Sequence, residues 1–294
     1  MTITPLRGGP PTGSLKAWAM GGEPFVLEER MELVLLAPKE APPGLLLRFT
    51  TRLGGVSRPP FSSLNLSLAV GDDPKNVLEN RRRLARALGF NLCDFVAAKQ
   101  VHGANFHVVT GKDRGRGSTS LGEAIPDVDA LLTAEPELPL LLTFADCAPV
   151  AVYDPEAPAL GAIHAGWRGA LSGVVERAVR AMASELGAKP ERCVAFVLPR
   201  IGPSHLRLSP DVVEEFLRIW PGSALPDGRV SLTRAVVLQL LRAGISRRNI
   251  FVSCLCTFCR RRLFFSERRE KPTGRMAMVA SIMGAREGER CTTL

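Results

Sequence analysis

Apolar residues in this chain fall into short runs that switch between a period near two and a period near 3.6, and segments rich in Gly, Pro, Asp and Ser separate them. Residues 25–37 and 44–51 read as strands, with the Pro-containing stretch 38–43 between them. A helix is expected after Asp73. Asp73 is the N-cap, Pro74 takes the first helical position, Val77, Leu84 and Leu88 follow at helical spacing, and Gly89 closes the C-terminus. Glu79 and Arg83 stand one turn apart on its outer side. Residues 95–100 and 106–110 read as strands flanking a turn at His102, and 112–125, rich in Gly, Ser and Arg, as a mobile loop.

From 138 to 152 a long apolar strand is interrupted at Ala145-Asp146-Cys147 and resumes as a second strand. A strand over 160–164 leads into a helix expected from about Gly169 to Leu186, with Leu171, Val174, Val175, Ala178, Met182 and Leu186 as its buried stripe and Gly187 as its stop. Residues 194–198 read as a buried strand. Ser209-Pro210-Asp211 caps a helix to Trp220, Ser231 caps another to Leu241, and 251–256 and 276–282 read as closing strands. No regular βαβ rhythm, internal repeat or linker appears after residue 25. The fold class expected is therefore α/β (α+β): a single domain over residues 26–285, with mixed β-sheets flanked by helices in a layered sandwich. Residues 1–25, rich in Gly and Pro, read as a poorly ordered arm and 286–294 as a C-terminal tail.

Composition narrows the class. A chain of 294 residues with 46% hydrophobic positions can bury one large core. No apolar run reaches the roughly 20 residues that span a bilayer, and the N-terminus lacks the apolar core of a signal peptide. Seven cysteines, an odd number without a secretory signal, point to reduced thiols and a cytoplasmic location. The net charge of +9 attracts anions such as phosphate, nucleotides or nucleic acid. Basic clusters occur at Arg81-Arg82-Arg83, Arg260-Arg261-Arg262 and Arg268-Arg269-Glu270-Lys271, but one Tyr and three Trp give no stacking pattern of an RNA-binding module. A solvated basic surface is favoured over a nucleic-acid interface.

The chemistry concentrates in three places. Gln100-Val101-His102-Gly103, Ala145-Asp146-Cys147 and Ile163-His164-Ala165-Gly166-Trp167-Arg168-Gly169 supply two histidines and a cysteine, each beside glycine or an acidic residue at the end of an apolar run. Two imidazoles and a thiolate can hold a zinc ion and leave a fourth position for water or substrate. Taken singly, each is more ordinarily a turn histidine or a small buried hydrophobe. The Cys254-x-Cys256-x-x-Cys259 spacing approaches a metal knuckle, yet a fourth ligand at knuckle distance is missing, so Cys254 and Cys259 read as thiols packed at a strand end. His107 and His205 sit in no motif and read as non-catalytic. Gly54-Gly55 is not followed by a P-loop lysine, and the nucleophile elbow, the HExxH helix and the HxE/PCxxC deaminase signature are all absent.

Six segments carry a resemblance, in order from about residue 45 to 280. They are Thr51-Arg52-Leu53-Gly54-Gly55-Val56-Ser57; Ser63-Leu64-Asn65-Leu66-Ser67 with Gly71-Asp72-Asp73; Glu79-Asn80-Arg81; the His102 segment; the Cys147 and His164 segments together; and Cys256-Thr257 with Phe264-Phe265-Ser266-Glu267-Arg268-Arg269 and Thr273-Gly274-Arg275. In these the chain resembles the multicopper-polyphenol-oxidoreductase-like family, also called the YfiH or laccase-domain family and regarded as purine nucleoside phosphorylases. The resemblance implies a compact YfiH-like domain and one zinc ion per chain held by His102, Cys147 and His164. It also implies phosphorolysis of adenosine, inosine, guanosine or 5′-methylthioadenosine, with deamination of adenosine, so purine nucleosides and phosphate are the expected partners.

Within that reading Arg52 and Arg275 are candidates to hold phosphate, and Arg168 brings positive charge near the metal. Asn65 and Asp72 are candidates for ribose or base contacts, and Asp146 for acid–base work or for orienting a ligand histidine. Each has a plainer alternative: arginines pair with carboxylates, and Asn65 and Asp146 are good turn residues. Two departures from the family pattern bear on the purine pocket. Gly202-Pro203 is followed by Ser204-His205-Leu206-Arg207 where the family has a cysteine, an aromatic and an acidic residue, and Glu267 replaces a tyrosine. Two other classes compete: a copper-dependent polyphenol oxidoreductase, for which four histidines are too few to build a multicopper centre, and a non-enzymatic nucleotide- or RNA-binding protein. A cysteine hydrolase using Cys147 is a minor variant.

Overall fold

Strands with apolar residues on both faces must be covered on both sides, and that requirement sets the architecture. The protein, seen in a computed structural model, is described over residues 22–284. The arm expected at 1–25 lies outside the described residues up to position 21, and so does the tail at 286–294. The elements are β1 (Phe25–Arg30), β2 (Leu33–Pro38), β3 (Leu45–Thr50), α1 (Pro74–Leu88), β4 (Val96–Ala97), β5 (Phe106–Val108), β6 (Ala130–Thr133), β7 (Leu140–Phe144), β8 (Ala148–Asp154), β9 (Ala159–Ala165), α2 (Trp167–Leu171), α3 (Val174–Leu186), β10 (Val194–Val197), α4 (Pro210–Ile219), α5 (Leu232–Arg242), β11 (Ile250–Val252) and β12 (Met276–Ile282).

They form two six-stranded sheets, ordered β1-β2-β3-β12-β7-β4 and β11-β10-β8-β9-β6-β5. Neighbours are antiparallel except β4 on β7, β5 on β6 and β10 on β11. Alternation along single strands builds the layers. In β7, Leu140, Leu142 and Phe144 point into the core between the sheets, while Leu141 packs outward on the α1 side. In β8, Ala151 and Tyr153 face the inter-sheet core, and Val150 and Val152 face α3 and α5. The result is four layers: α1, first sheet, second sheet, and α2–α5. This is the mixed α/β sandwich expected.

The α1 caps form as expected: Asp73 accepts from the Lys75 N–H, and Gly89 at φ 79 ends the helix with its N–H on Ala85 and Arg86. Three readings differ. The 25–37 strand is a hairpin, β1 and β2, turning at Met31 with φ 54; a left-handed methionine is not a turn signal a sequence displays. The helix expected from Gly169 to Leu186 is two, because Gly173 adopts φ 80 and separates α2 from α3. The 112–125 segment is anchored by the buried Arg81, whose guanidinium donates to the carbonyls of Gly117 at 2.7 Å and Ser118 at 2.8 Å.

Candidate metal centre and cleft

Strand pairing assembles the ligand candidates. In the β8–β9 register Ala148 faces Ala165 and Pro149 faces His164, so Cys147, just before β8, lies beside the end of β9. His102 arrives on the turn after β4. Gln100 pins that turn to β7: its amide donates to the Thr143 carbonyl and its oxygen accepts from the Thr143 N–H and hydroxyl, at 2.9–3.0 Å.

Asp129, fully buried just before β6, organises the rest. Its carboxylate accepts three successive backbone N–H groups, from Val101 at 3.3 Å, His102 at 3.0 Å and Gly103 at 2.6 Å. Such a nest suits an anion. It holds His102 at φ 61, a conformation that costs a non-glycine residue about 1–2 kcal/mol. The same carboxylate lies 2.7 Å from His164 Nδ1. Burial opposes ionisation of Asp129, but the hydrogen bond and charge of His164 and the backbone donors outweigh it and hold the carboxyl below its ordinary range. An ionised carboxylate only accepts, so Nδ1 carries a proton and Nε2 is the nitrogen that a metal would take.

The donor atoms of His102, Cys147 and His164 lie within 4.8 Å of one another. A tetrahedral zinc spaces such atoms about 3.3–3.8 Å apart, so small side-chain shifts close them on an ion. Burial pushes the Cys147 thiol up, yet His164 and His102 more than reverse this and bring it to about 6. Burial likewise pushes His164 down, while Cys147 and Asp129 raise it to about 9. The two shifts favour a thiolate beside a protonated imidazole, and a metal bound there would take the place of the proton on Nε2.

Two glycines of the His164 segment make room for this group. A Cβ at Gly166 would come within 2.8 Å of His102 Cδ2 and 3.2 Å of Cys147 Sγ. A Cβ at Gly169 would come within 2.6 Å of the Gly103 carbonyl oxygen.

His102, Cys147 and His164 open onto a cleft of about 690 Å³, a size suited to a small organic ligand. Cationic side chains of Arg81, Lys99, Arg168, Arg268, Lys271 and Arg275 line it. Arg168 stacks over Trp167 at 4.1 Å, and Arg275 pairs with Glu267 at 2.9 Å. Of the two departures, Glu267 and Leu206 reach the cleft, and Ser204 and Arg207 do not line it. A wider depression at Asn105, Phe106, Arg177 and Arg180 contains none of the six motif segments.

The other expected site residues divide. Arg168 and Arg275 line the cleft, as does Asp146. Asp146, at φ 84, turns the chain into Cys147. Both its oxygens are engaged, by the Thr257 hydroxyl at 2.6 Å, the Ser266 hydroxyl at 3.0 Å and the Arg268 N–H at 2.7 Å. The group that orients His164 is therefore Asp129, not Asp146. Arg52 lies outside the cleft: it donates to the Ser62 carbonyl, pairs with Glu270 at 2.9 Å and covers Phe265. Asn65 is buried and donates to Asp72, whose same oxygen accepts from Ser57, so both serve the loop frame beneath the cleft. Asn80 closes that frame through Val56, Ser57, Ser63 and Asn65. Asp129 and Lys99 escaped the sequence reading, and Lys271 was named in it only as part of a basic cluster. Cys254 and Cys259 are exposed, not packed.

Among the described residues no helix is long and apolar enough to cross a membrane. The chain is similar to several known proteins. It is 41% identical over 258 residues to a protein of Geobacillus stearothermophilus named purine nucleoside phosphorylase YlmD, covering 84% of this chain and 93% of that one. It is 39% identical to a purine nucleoside phosphorylase of Deinococcus radiodurans, covering 87% and 95%. Its fold matches the crystal structure of the Geobacillus YlmD with a TM-score of 0.83 at 38% identity, over 89% of this chain and all of that one. It also matches the Bacillus licheniformis hypothetical protein YfiH with a TM-score of 0.82 at 36% identity, over 88% and 99%. Residues 47–283 match the family described as multi-copper polyphenol oxidoreductase laccase. With four-fifths of its length matched, the chain belongs to that family.

Proposed function

We propose that this protein is a zinc-dependent purine nucleoside phosphorylase acting in the cytoplasm. The observation that carries the reading is the His102–Cys147–His164 group at a cleft lined by six cationic side chains. The names of the relatives agree with it. The donor set fits zinc: a thiolate of lowered pKa, an imidazole whose tautomer Asp129 fixes, and a glycine where a Cβ would intrude. Bound there, zinc supplies Lewis acidity to a substrate oxygen or nitrogen.

The chain's own residues do the rest. Arg168 and Arg275, with Lys99, Arg268 and Lys271 around them, hold the phosphate dianion and bring its oxygen to the sugar C1′. In the reaction a phosphate O–C1′ bond forms, the C1′–N9 bond breaks, and its electron pair leaves on the purine, giving base and ribose 1-phosphate. Asp146 positions: by accepting from Thr257, Ser266 and Arg268 it ties the Glu267–Arg275 wall to the strand end that bears Cys147. Both of its oxygens are engaged, so we assign it no proton transfer. Six basic side chains line one concave site, which favours a small anion there over an extended nucleic acid. Four histidines in the whole chain leave too few ligands for a multicopper centre.

The test is adenosine with and without phosphate. Phosphate-dependent release of adenine is expected, lost on chelation and restored by zinc. Phosphate-independent formation of inosine would report the accompanying deaminase activity. If neither product appears with zinc-loaded protein, the reading fails.

A further inference from the structure

A second cluster of metal-ligating side chains stands apart from the first. His205, on the loop between β10 and α4, reaches Cys259 on the turn after β11, with Nε2 and Sγ 3.1 Å apart. Cys256 completes the group, and the three donor atoms lie within 4.8 Å of one another. Zinc-bound sulfur and nitrogen in a tetrahedral site sit about 3.3–3.8 Å apart, so the cluster is already near its closed dimensions.

Its surroundings are built rather than incidental. Phe258, between the two cysteines, stacks on the His205 ring with centroids 4.0 Å apart and planes inclined by 13°, which fixes the imidazole's direction. The Gly202 N–H points at Cys256 Sγ from 3.1 Å. An amide aimed at sulfur suits a thiolate that has given its proton to a metal. The strand end and the loop are joined besides by the Thr257 N–H on the Arg200 carbonyl at 3.1 Å.

The geometry points to a second, structural zinc site made of His205, Cys256 and Cys259, with water as the fourth ligand. Two thiolates neutralise the ion, and one histidine closes the site. Its place in the fold says what it does. One ligand is on the loop that carries Ile201 and Leu206 into the cleft, and the other two flank Thr257, which bonds Asp146. An ion there staples two walls of the cleft to each other. The inference is independent of the phosphorylase reading, because it concerns metal content and not turnover.

The full chain, purified with reductant, is stripped with a chelator, reloaded with Zn²⁺ alone and analysed for bound metal. Two ions per chain are expected. Cys259→Ser and His205→Ala, both at the accessible cluster, each lose one ion, and Cys147→Ser loses the other. Loaded with Co²⁺, Cys147→Ser keeps a thiolate-to-cobalt charge-transfer band that Cys147→Ser with Cys259→Ser weakens or loses. The inference is overturned if wild type binds one ion that Cys147→Ser abolishes. It is equally overturned if Cys259→Ser retains the wild-type metal content, or if Cys256 and Cys259 form a disulfide that persists in reductant and excludes metal.

Discussion

Replacing Asp129 by asparagine tests the logic of the metal centre directly. The carboxylate accepts four hydrogen bonds: Oδ1 takes His102 N–H at 3.0 Å and His164 Nδ1–H at 2.7 Å, and Oδ2 takes Val101 N–H at 3.3 Å and Gly103 N–H at 2.6 Å. Asparagine has one acceptor oxygen. If its oxygen faces His164, its NH₂ opposes the Val101 and Gly103 donors and the His102 turn loses its anion. If it is flipped, NH₂ faces Nδ1, and the imidazole proton moves to the nitrogen that should bind metal. Either orientation forfeits one short charge-assisted bond and a second, longer one. At about 1.5–3 kcal/mol for the first and about 1 kcal/mol for the second, the cost is about 2.5–4 kcal/mol. Partners of ligand histidines typically set about 10–100-fold of metal affinity. The assay is zinc competition against a chromophoric chelator, with thermal unfolding of the stripped protein beside it. Weakened zinc binding and a lowered Tm are expected. An asparagine variant with wild-type affinity and Tm would refute the claim that Asp129 sets the turn and the tautomer.

Gly166→Ala adds one methyl to a residue at φ −68, where the backbone accepts alanine, but places it against His102 and Cys147. Overpacking of about 1–3 kcal/mol should appear as about a ten- to hundredfold loss of zinc affinity; unchanged affinity means the ligands give way freely. Arg52→Ala should lower Tm by removing the Glu270 pair and the cover over Phe265, while the KM for phosphate stays at the wild-type value; a raised KM would return Arg52 to the phosphate site. Asp154 is buried at the end of β8, where burial opposes its charge but the Lys189 N–H and Arg192 outweigh that and hold its carboxyl below the ordinary range. Its folded pKa lies below the unfolded value near 4, so its contribution is present above about pH 4 and is lost as pH falls through the folded pKa. Asp154→Asn should therefore lower Tm at pH 7 and flatten the acid limb, and an equal Tm deficit at every pH would contradict this.

The two differences in chain tracing have local causes. Met31 turns a hairpin without Gly or Asn, and Gly173 breaks a helix whose apolar stripe runs on across the break in sequence. Periodicity detects which faces are buried, so it registered the strands and the stripe but not the turns between them. The His102, Cys147 and His164 group was legible because each member sits in a short distinctive segment, and Gly166 of the His164 segment answers to contacts with His102 and Cys147. Asp129 was not, since its partners stand 26 to 35 residues away and nothing in its own neighbourhood marks it.

By itself the amino-acid sequence determined the layered α/β class, the capped helix α1, the family, and the identity of His102, Cys147 and His164 as a donor set. These depend on local pattern and residue chemistry. Only the tertiary structure decided which charges remain available for substrate. Arg52 meets Glu270 across 218 residues and is taken out of the cleft. Asp146 engages both oxygens with Thr257, Ser266 and Arg268, while Lys99, which no sequence motif marks, enters the cleft. His205 finds Cys259 across 54 residues and joins it and Cys256 in one cluster of donor atoms. A side chain's chemistry is written in its type, but its partners are chosen by sheet register and loop packing, which bring distant positions to within hydrogen-bond reach.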